Sequence, residues 1–162
     1  MCSYQVKIQP VHGLVIVCSL MWLLSSAAIY AEVERDALPD VYAEDIKAAM
    51  HDHLAEVIGA DGLFYIHDDV KAADLQLRFV QIHDPVREMS GRVFFACTDF
   101  HVDGEDDKLY DVDFWLKEDQ SGSLKVFQTK IHKEPRKSPL FGWFKYPRYT
   151  FIDDDIEYLY TD

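Results

Sequence analysis

The sequence predicts an α+β domain in which one N-terminal amphipathic helix packs on a four- to five-stranded antiparallel meander sheet. Three observations support this fold class. Apolar residues first recur at three- and four-residue steps, which is the period of a helix that is buried on one side. After residue 75 the period changes to strict alternation. Short polar or glycine-containing segments then separate the alternating runs, so a helix followed by hairpins accounts for most of the chain.

The predicted helix begins near Asp40, which follows Pro39 and is a suitable N-cap residue. Its apolar positions are Tyr42, Ile46, Ala49, Met50, His53, Leu54 and Val57. Gly59 follows the last of them and marks the end of the helix. The spacing therefore predicts an amphipathic helix of about four to five turns.

The predicted strands follow the helix in order. The short apolar run 63–66 is either a first strand or an extended arm. Four alternating segments lie at residues 75–82, 92–103, 109–117 and 124–132, with turns at 104–107 and 120–122. A helix followed by an antiparallel meander resembles the cystatin-like and nuclear-transport-factor-like layouts. This resemblance implies a fold and not a function.

The first thirty-one residues have the layout of a secretory signal peptide. Lys7 precedes an apolar run at 14–24, and small residues follow at 25–28. Cleavage near Ala31 would release residues 32–162 as a single domain in the periplasm or outside the cell. The alternative is an uncleaved membrane anchor, but the apolar stretch is at the short end of the ~17 to 25 residues that cross a bilayer.

Charge and cysteine content narrow the classes of partner. The chain has 16 basic and 29 acidic residues and a net charge of −13, which disfavours binding to nucleic acid. Cys2 and Cys18 lie in the predicted leader, so Cys97 would remain as a single cysteine without an intramolecular disulfide. A lone cysteine in an apolar strand is typical of a small buried hydrophobic residue.

Polar side chains alternate with the apolar ones in the central strands, and they are the main candidates for a site. If Phe100 pairs with Val112, Asp99 lies opposite Asp113 and His101 lies opposite Asp111. Pairing of Phe114 with Phe127 would bring Lys130 beside Asp111. The predicted binding residues on this face are Asp99, His101, Asp111, Asp113, Trp115, Lys130 and His132. The face is either a pocket or an ordinary solvated surface with weak ion pairs.

Metal binding and catalysis have weaker signals. His101, Asp103 and Asp111 are candidate ligands at the mouth of the central hairpin, although their spacing matches no known metal motif. The acidic turn at 104–107 lacks the spaced ligands of a calcium loop. A pair such as Asp111 and His101 has the groups for acid–base chemistry, but no standard catalytic signature is present, and no motif requires a cofactor.

Residues 135–148 form an aromatic-basic loop in an otherwise acidic chain. Phe141, Trp143 and Phe144 would suit a membrane interface or a groove on a partner if they are exposed. Alternatively, they fold back as a lid over the open end of the core. Residues 149–152 can make a last strand, and the segment 153–162 is predicted to be an acidic tail along the surface.

These observations favour an exported, non-enzymatic binding domain that uses the polar sheet face, the aromatic-basic loop, or both. Its partner would be a protein or a small-molecule ligand. Two alternatives stay open: a small acid–base hydrolase or isomerase with a carboxylate and histidine pocket on the sheet, and a metal-binding protein of the cell envelope.

Overall fold

The computed structural model describes residues 40–159, and the predicted signal peptide lies outside them. The α+β class is confirmed, because this part of the chain is one helix and a mostly antiparallel sheet. The elements are α1 (Ala43–Val57), β1 (Phe64–Asp68), β2 (Ala73–Ile82), β3 (Arg87–Met89), β4 (Val93–Val102), β5 (Glu105–Glu118), β6 (Leu124–Ser138), β7 (Gly142–Pro147), β8 (Tyr149–Ile152) and β9 (Asp155–Tyr158). None of the described helices is long and apolar enough to cross a bilayer.

The main sheet has seven strands, in the order β1-β2-β4-β5-β6-β7 with β3 beside β4, and β8 pairs with β9 in a separate hairpin. The prediction of four to five strands was too low, and the helix lies at 43–57 rather than at the N-terminus of the chain. The missed strands have weak local signals. Prolines flank β7, and β9 lies in the acidic segment predicted as a tail, so pairing with a neighbour decides their structure more than propensity does.

One face of the sheet packs against the helix. Ile46, Met50 and Leu54 are the buried residues of α1, and they belong to one cluster with the buried side chains of the central strands. The predicted core residues Phe100, Val112 and Phe114 are all in this cluster and are fully buried, as expected. The helix therefore covers the apolar face, and the alternating polar residues must point the other way.

The opposite face is covered by the β8–β9 hairpin. Met89, Phe95, Trp115 and Tyr149 form a second buried cluster there, with Phe151 and Ile156 packed against it. Asp99, Asp111 and Asp113 share this face with Trp115 and are also buried. Part of the polar face is thus covered, and its three aspartates are withdrawn from solvent.

The predicted register of β4 and β5 was wrong by two residues. Phe100 lies opposite Tyr110, which places Asp99 opposite Asp111 and Cys97 opposite Asp113. The turn is shorter than predicted, because β5 begins at Glu105 directly after Gly104, whose φ of 74° favours glycine. A shift by an even number of residues keeps every side chain on the same face of the sheet. The predicted faces of β4 and β5 are therefore correct, although the predicted cross-strand pairs are wrong.

A bulge in β6 decides which cations reach the aspartates. Ile131 lies opposite Val112 and Lys133 lies opposite Asp111, so His132 is an extra residue between these pairs. Lys130 lies opposite Asp113, and its predicted position beside Asp111 was wrong. The bulge turns both His132 and Lys133 toward the buried aspartates, which regular alternation cannot do.

Candidate functional site

Asp99 and Asp111, here called the lysine-bound carboxylates, form the first part of the buried polar cluster. Lys145 Nζ donates to Asp99 Oδ1 at 2.6 Å and to Asp111 Oδ1 at 2.9 Å, and Lys133 Nζ donates to Asp111 Oδ2 at 2.6 Å. Nε2 of His83 lies 2.8 Å from Asp99 Oδ2. Each carboxylate oxygen therefore has a nitrogen partner, and two ammonium groups balance the two negative charges.

The electrostatics of this group follow from burial and pairing. Burial alone would raise the pKa of Asp99, but hydrogen bonds with its neighbours, among them Lys145 and His83, hold that pKa well below its usual range. Burial also opposes the charge of Lys145, yet its bonds to the two carboxylates raise its pKa. Both groups stay charged near neutral pH, so Asp99 is a poor candidate for a general acid.

The second part of the cluster, here called the Asp113 corner, consists of Asp113, Cys97, His132 and Tyr149. The Tyr149 hydroxyl donates to Asp113 Oδ2 at 2.8 Å, and His132 Nδ1 lies 3.3 Å from the same oxygen. Asp113 is fully buried, and its Oδ1 has no hydrogen-bond partner within the described part of the chain. No lysine of residues 40–159 is paired with Asp113, and Nζ of Lys130, which lies opposite it, donates instead to the hydroxyl of Tyr158.

Two groups of possible metal-binding atoms meet at Cys97. His83, Cys97 and Asp111 form one group, and Cys97, Asp113 and His132 form the other, each with its atoms within 4.8 Å of one another. Burial and the nearby charges of Asp113 and Asp111 raise the pKa of the Cys97 thiol. The thiol is therefore protonated at neutral pH unless a cation binds beside it.

A third ionic group lies at the other end of the sheet, where β1 approaches β6 and β7. Arg148 donates to both carboxylate oxygens of Asp68 at 2.7 Å, and its Nη2 donates to Glu134 at 2.6 Å. All three side chains are buried. Burial would raise the pKa of Asp68, but the bidentate contact with Arg148 outweighs it and lowers that pKa.

The other predicted site residues are dispersed. Nδ1 of His101 is buried and, within residues 40–159, has no hydrogen-bond partner, so the expected pairing with Asp111 was wrong. Asp103 accepts a bond from Arg78 at 2.6 Å, away from the buried aspartates. The predicted metal set of His101, Asp103 and Asp111 is therefore not brought together. Trp115 packs edge-on against Phe95 with ring centres 5.4 Å apart.

His83 was a further candidate for this face, and it lies beside Asp99. Two lysines and one cysteine of the cluster were not among the predicted site residues: Lys133, Lys145 and Cys97. Lys145 could have been found from the alternation of side chains. It lies two residues after Trp143, a predicted site residue, and therefore projects from the same side of β7. The sequence around Lys133 had no such signal, because only the bulge brings it to Asp111.

The predicted aromatic-basic loop is a hairpin, with β6 and β7 paired from Lys133–Pro147 to Ser138–Gly142. Leu140 and Phe141 at its tip are 85% and 84% exposed, so the tip does not act as a lid. The Trp143 ring is half-buried between two lysines, with Nζ of Lys108 at 4.6 Å and Nζ of Lys137 at 5.9 Å from its centre.

A cleft of about 670 Å³ lies where β1 approaches β6 and the β8–β9 hairpin. Its lining includes Ile66, Val70, Lys130, Arg148, Tyr149 and Tyr158. None of the three central aspartates lines it. The cleft therefore adjoins the Asp113 corner only through Tyr149, whose hydroxyl donates to Asp113.

Comparison with known proteins adds no family to this description. No family model matches the chain, and neither the curated proteins nor the solved structures contain a match.

Proposed function

We propose that this chain is an exported, non-enzymatic binding domain, and that the tip of its β6–β7 hairpin contacts a membrane interface. The exposure of two large adjacent apolar side chains, Leu140 and Phe141, is the observation that supports this proposal most strongly. Side chains of this size gain free energy when they leave water, and nothing within the described domain covers them.

The tip holds these side chains outward by local hydrogen bonds. The Ser138 hydroxyl oxygen accepts bonds from the backbone amides of Leu140 and Phe141, each at 3.3 Å. Gly142 follows with a φ of 74°, a conformation that side-chain-bearing residues rarely adopt. Interactions within the turn therefore fix its conformation. Leu140 and Phe141 are already exposed there, so binding requires no further ordering of the backbone.

The residues behind the tip suit the polar boundary of a bilayer. Trp143 lies between Lys108 and Lys137, and Phe144 is 42% exposed on the neighbouring position. Aromatic rings and lysines are enriched at the level of lipid headgroups, where a ring has one apolar and one polar neighbour. The hairpin therefore has an apolar end followed by an interfacial layer.

Magnitudes favour a bilayer over a protein groove. Burying Leu140 and Phe141 gives about 1.5 to 3 kcal/mol each, which is close to the weak, reversible attachment of a single acyl chain. A specific protein interface buries at least about 1,000 Å², and three exposed side chains supply only a small part of that area. We therefore expect weak binding that depends on the tip.

The experiment is sedimentation of the purified protein with zwitterionic vesicles, and with the same vesicles containing anionic lipid. We expect binding that persists at high salt and is lost in the double variant Leu140→Ser, Phe141→Ser. The matched control is Ile152→Ser, which changes a side chain that is 55% exposed elsewhere. Absence of wild-type binding to both vesicles, or equal binding by the double variant, would overturn the proposal.

Export is the second part of the proposal. The layout of residues 1–31 supports a cleaved signal peptide, with release of the domain near Ala31 into the periplasm or the exterior. N-terminal sequencing of the exported protein tests this directly.

The helix that precedes an antiparallel meander also supports the proposed likeness to cystatin-like and nuclear-transport-factor-like layouts.

A second candidate function is small-anion binding in the cleft. The volume of about 670 Å³ suits a small ligand, and Lys130 lies among its lining residues with Tyr149 and Tyr158, whereas Arg148 is already matched by Asp68 and Glu134. A thermal shift with small carboxylates that is absent in Lys130→Gln would support it. The hydrolase or isomerase alternative is less favoured, because Asp99 and Asp111 are buried and matched by lysines, and His101 lies opposite Leu109 rather than Asp111.

A further inference from the structure

The geometry points to a zinc site formed by Cys97, Asp113 and His132 on the buried face of the sheet. This inference is independent of the hairpin tip and of the membrane proposal. Strand pairing places Cys97 directly opposite Asp113, and the bulge in β6 turns the ring of His132 toward the same point. The three side chains therefore come from three different strands, β4, β5 and β6, and meet at one position.

The donor atoms have the types and spacing that Zn²⁺ accepts. A thiolate, an imidazole and a carboxylate are all common zinc ligands. Tetrahedral bonds of about 2.0 to 2.3 Å put neighbouring donor atoms roughly 3.3 to 3.8 Å apart. His132 Nδ1 and Asp113 Oδ2 are 3.3 Å apart, and the three donors lie within 4.8 Å of one another. Only a small closure around the ion is needed.

The hydrogen-bond pattern of His132 supports a cation at this point. Its Nε2 lies 3.1 Å from the backbone carbonyl oxygen of Tyr149, and since a carbonyl only accepts, Nε2 carries a proton. In the neutral ring Nδ1 then presents a lone pair toward the carboxylate of Asp113. That contact is repulsive unless a metal ion or a second ring proton lies between them. A backbone bond to the second nitrogen is also the usual support of a zinc-bound histidine.

Asp113 provides an independent indication. Its side chain is fully buried, and its Oδ1 has no hydrogen-bond partner in the described residues, which is costly for an ionised carboxylate. Its one hydroxyl donor, Tyr149, brings no charge. A divalent cation bound to Asp113 and to the thiolate of Cys97 would balance two negative charges in this interior.

The other group of donors, which contains His83 and Asp111, is a weaker candidate. Both oxygens of Asp111 already accept bonds from lysine ammonium groups, and Nε2 of His83 is 2.8 Å from Asp99. A metal ion there would have to displace Lys133 and Lys145. The Asp113 corner is the better candidate because no lysine has to be displaced from it.

Binding converts the thiol of Cys97 to a thiolate, so each zinc ion bound releases one proton to the buffer. The neutral ring of His132 and the carboxylate of Asp113 bind without further proton loss. The coordination involves no oxidation or reduction. Three protein ligands leave a fourth position for water or another donor.

The test is zinc binding by the chelator-treated protein, in competition with a chromophoric chelator. We expect one equivalent of Zn²⁺, with affinity about a hundredfold weaker or more in Cys97→Ser and in His132→Asn. The matched control His83→Asn should bind zinc like the wild type, because it removes the histidine of the other donor group. Loss of binding in His83→Asn with retention in His132→Asn would overturn the assignment.

Two measurements on the wild-type protein keep the proposal falsifiable if a variant fails to fold. Co²⁺ should produce a thiolate-to-metal charge-transfer band, and Zn²⁺ should protect Cys97 from alkylation, as located by peptide mass spectrometry. Absence of the band and equal alkylation with and without Zn²⁺ would overturn the proposal.

Discussion

Asp111 and Asp113 lie two residues apart on β5, on the same face and both fully buried, yet their surroundings differ. Asp111 contacts the ammonium groups of two lysines, whereas Asp113 contacts a tyrosine hydroxyl and a histidine ring. Buried charge is tolerated where opposite charge is supplied. The difference therefore separates a carboxylate whose charge is balanced by lysines from one that has no lysine partner among residues 40–159, and the proposed zinc site lies at the second.

The largest change in the free energy of unfolding is expected on the apolar side of the same strand. Phe114→Ala removes a fully buried ring from the cluster under the helix, and we expect the free energy of unfolding to fall by about 3 to 5 kcal/mol. Urea denaturation measures it. The control Phe127→Ala changes a ring that is 46% exposed and should cost less than about 1 kcal/mol. Equal effects of the two changes would mean that the assigned faces are inverted.

Asp111→Asn should break the lysine-bound group. The isosteric amide leaves Lys133 without its carboxylate partner and leaves Lys145 paired with Asp99 alone, and removing one partner of a buried ion pair costs about 3 to 5 kcal/mol. Since the lysine side chains are 31% and 28% exposed, water screens part of this loss, and we expect roughly 2 to 3 kcal/mol. A change below about 0.5 kcal/mol would show that the pairing contributes little to stability.

A third buried carboxylate, Asp68, extends the comparison to pH. Its pKa is lowered in the folded state because the bonds from Arg148 outweigh burial. Its contribution is therefore present above the unfolded pKa, near 3.9, and is lost as the pH falls through the folded pKa. Asp68→Asn should cost roughly 1.5 kcal/mol at pH 7, and the difference from wild type should shrink in acid. Thermal melts between neutral pH and pH 2 measure this, and a constant difference would contradict it.

Asp113→Asn is the matched partner of Asp111→Asn and should have the smallest effect. The amide oxygen still accepts the bond from Tyr149, while a buried charge without an ammonium partner is removed. In metal-free protein we expect stability within about 1 kcal/mol of wild type, or higher. With Zn²⁺ present, only the wild type should gain thermal stability. A loss as large as that of Asp111→Asn in metal-free protein would show that the two carboxylates have the same role.

Much of the fold was predictable from local patterns. The helix was found because Ile46, Met50 and Leu54 recur at helical steps, and the faces of β4 and β5 were found because side chains alternate. The face assignment survived an error of two residues in the register, since an even shift leaves every side chain on its side. Periodicity within one segment is enough for these features.

The contacts within the site were not predictable in the same way. Lys133 reaches Asp111 only because His132 is an extra residue in β6, and no periodic pattern announces a bulge. Lys145 comes from a segment predicted as a loop, and its partners Asp99 and Asp111 lie 46 and 34 residues away in sequence. Such contacts depend on how strands from distant parts of the chain align.

By itself the sequence determined the fold class, the helix, the apolar face and the acidic character of this protein, because each depends on residue type and local period. Only the tertiary structure decided that the polar face is covered by the β8–β9 hairpin, that Asp111 receives two lysines and that Asp113 receives Cys97 and His132. Those outcomes depend on turn length, bulges and long-range pairing. A shift of one residue in any of them changes which charged groups meet, and that is why the site could not be deduced from local sequence.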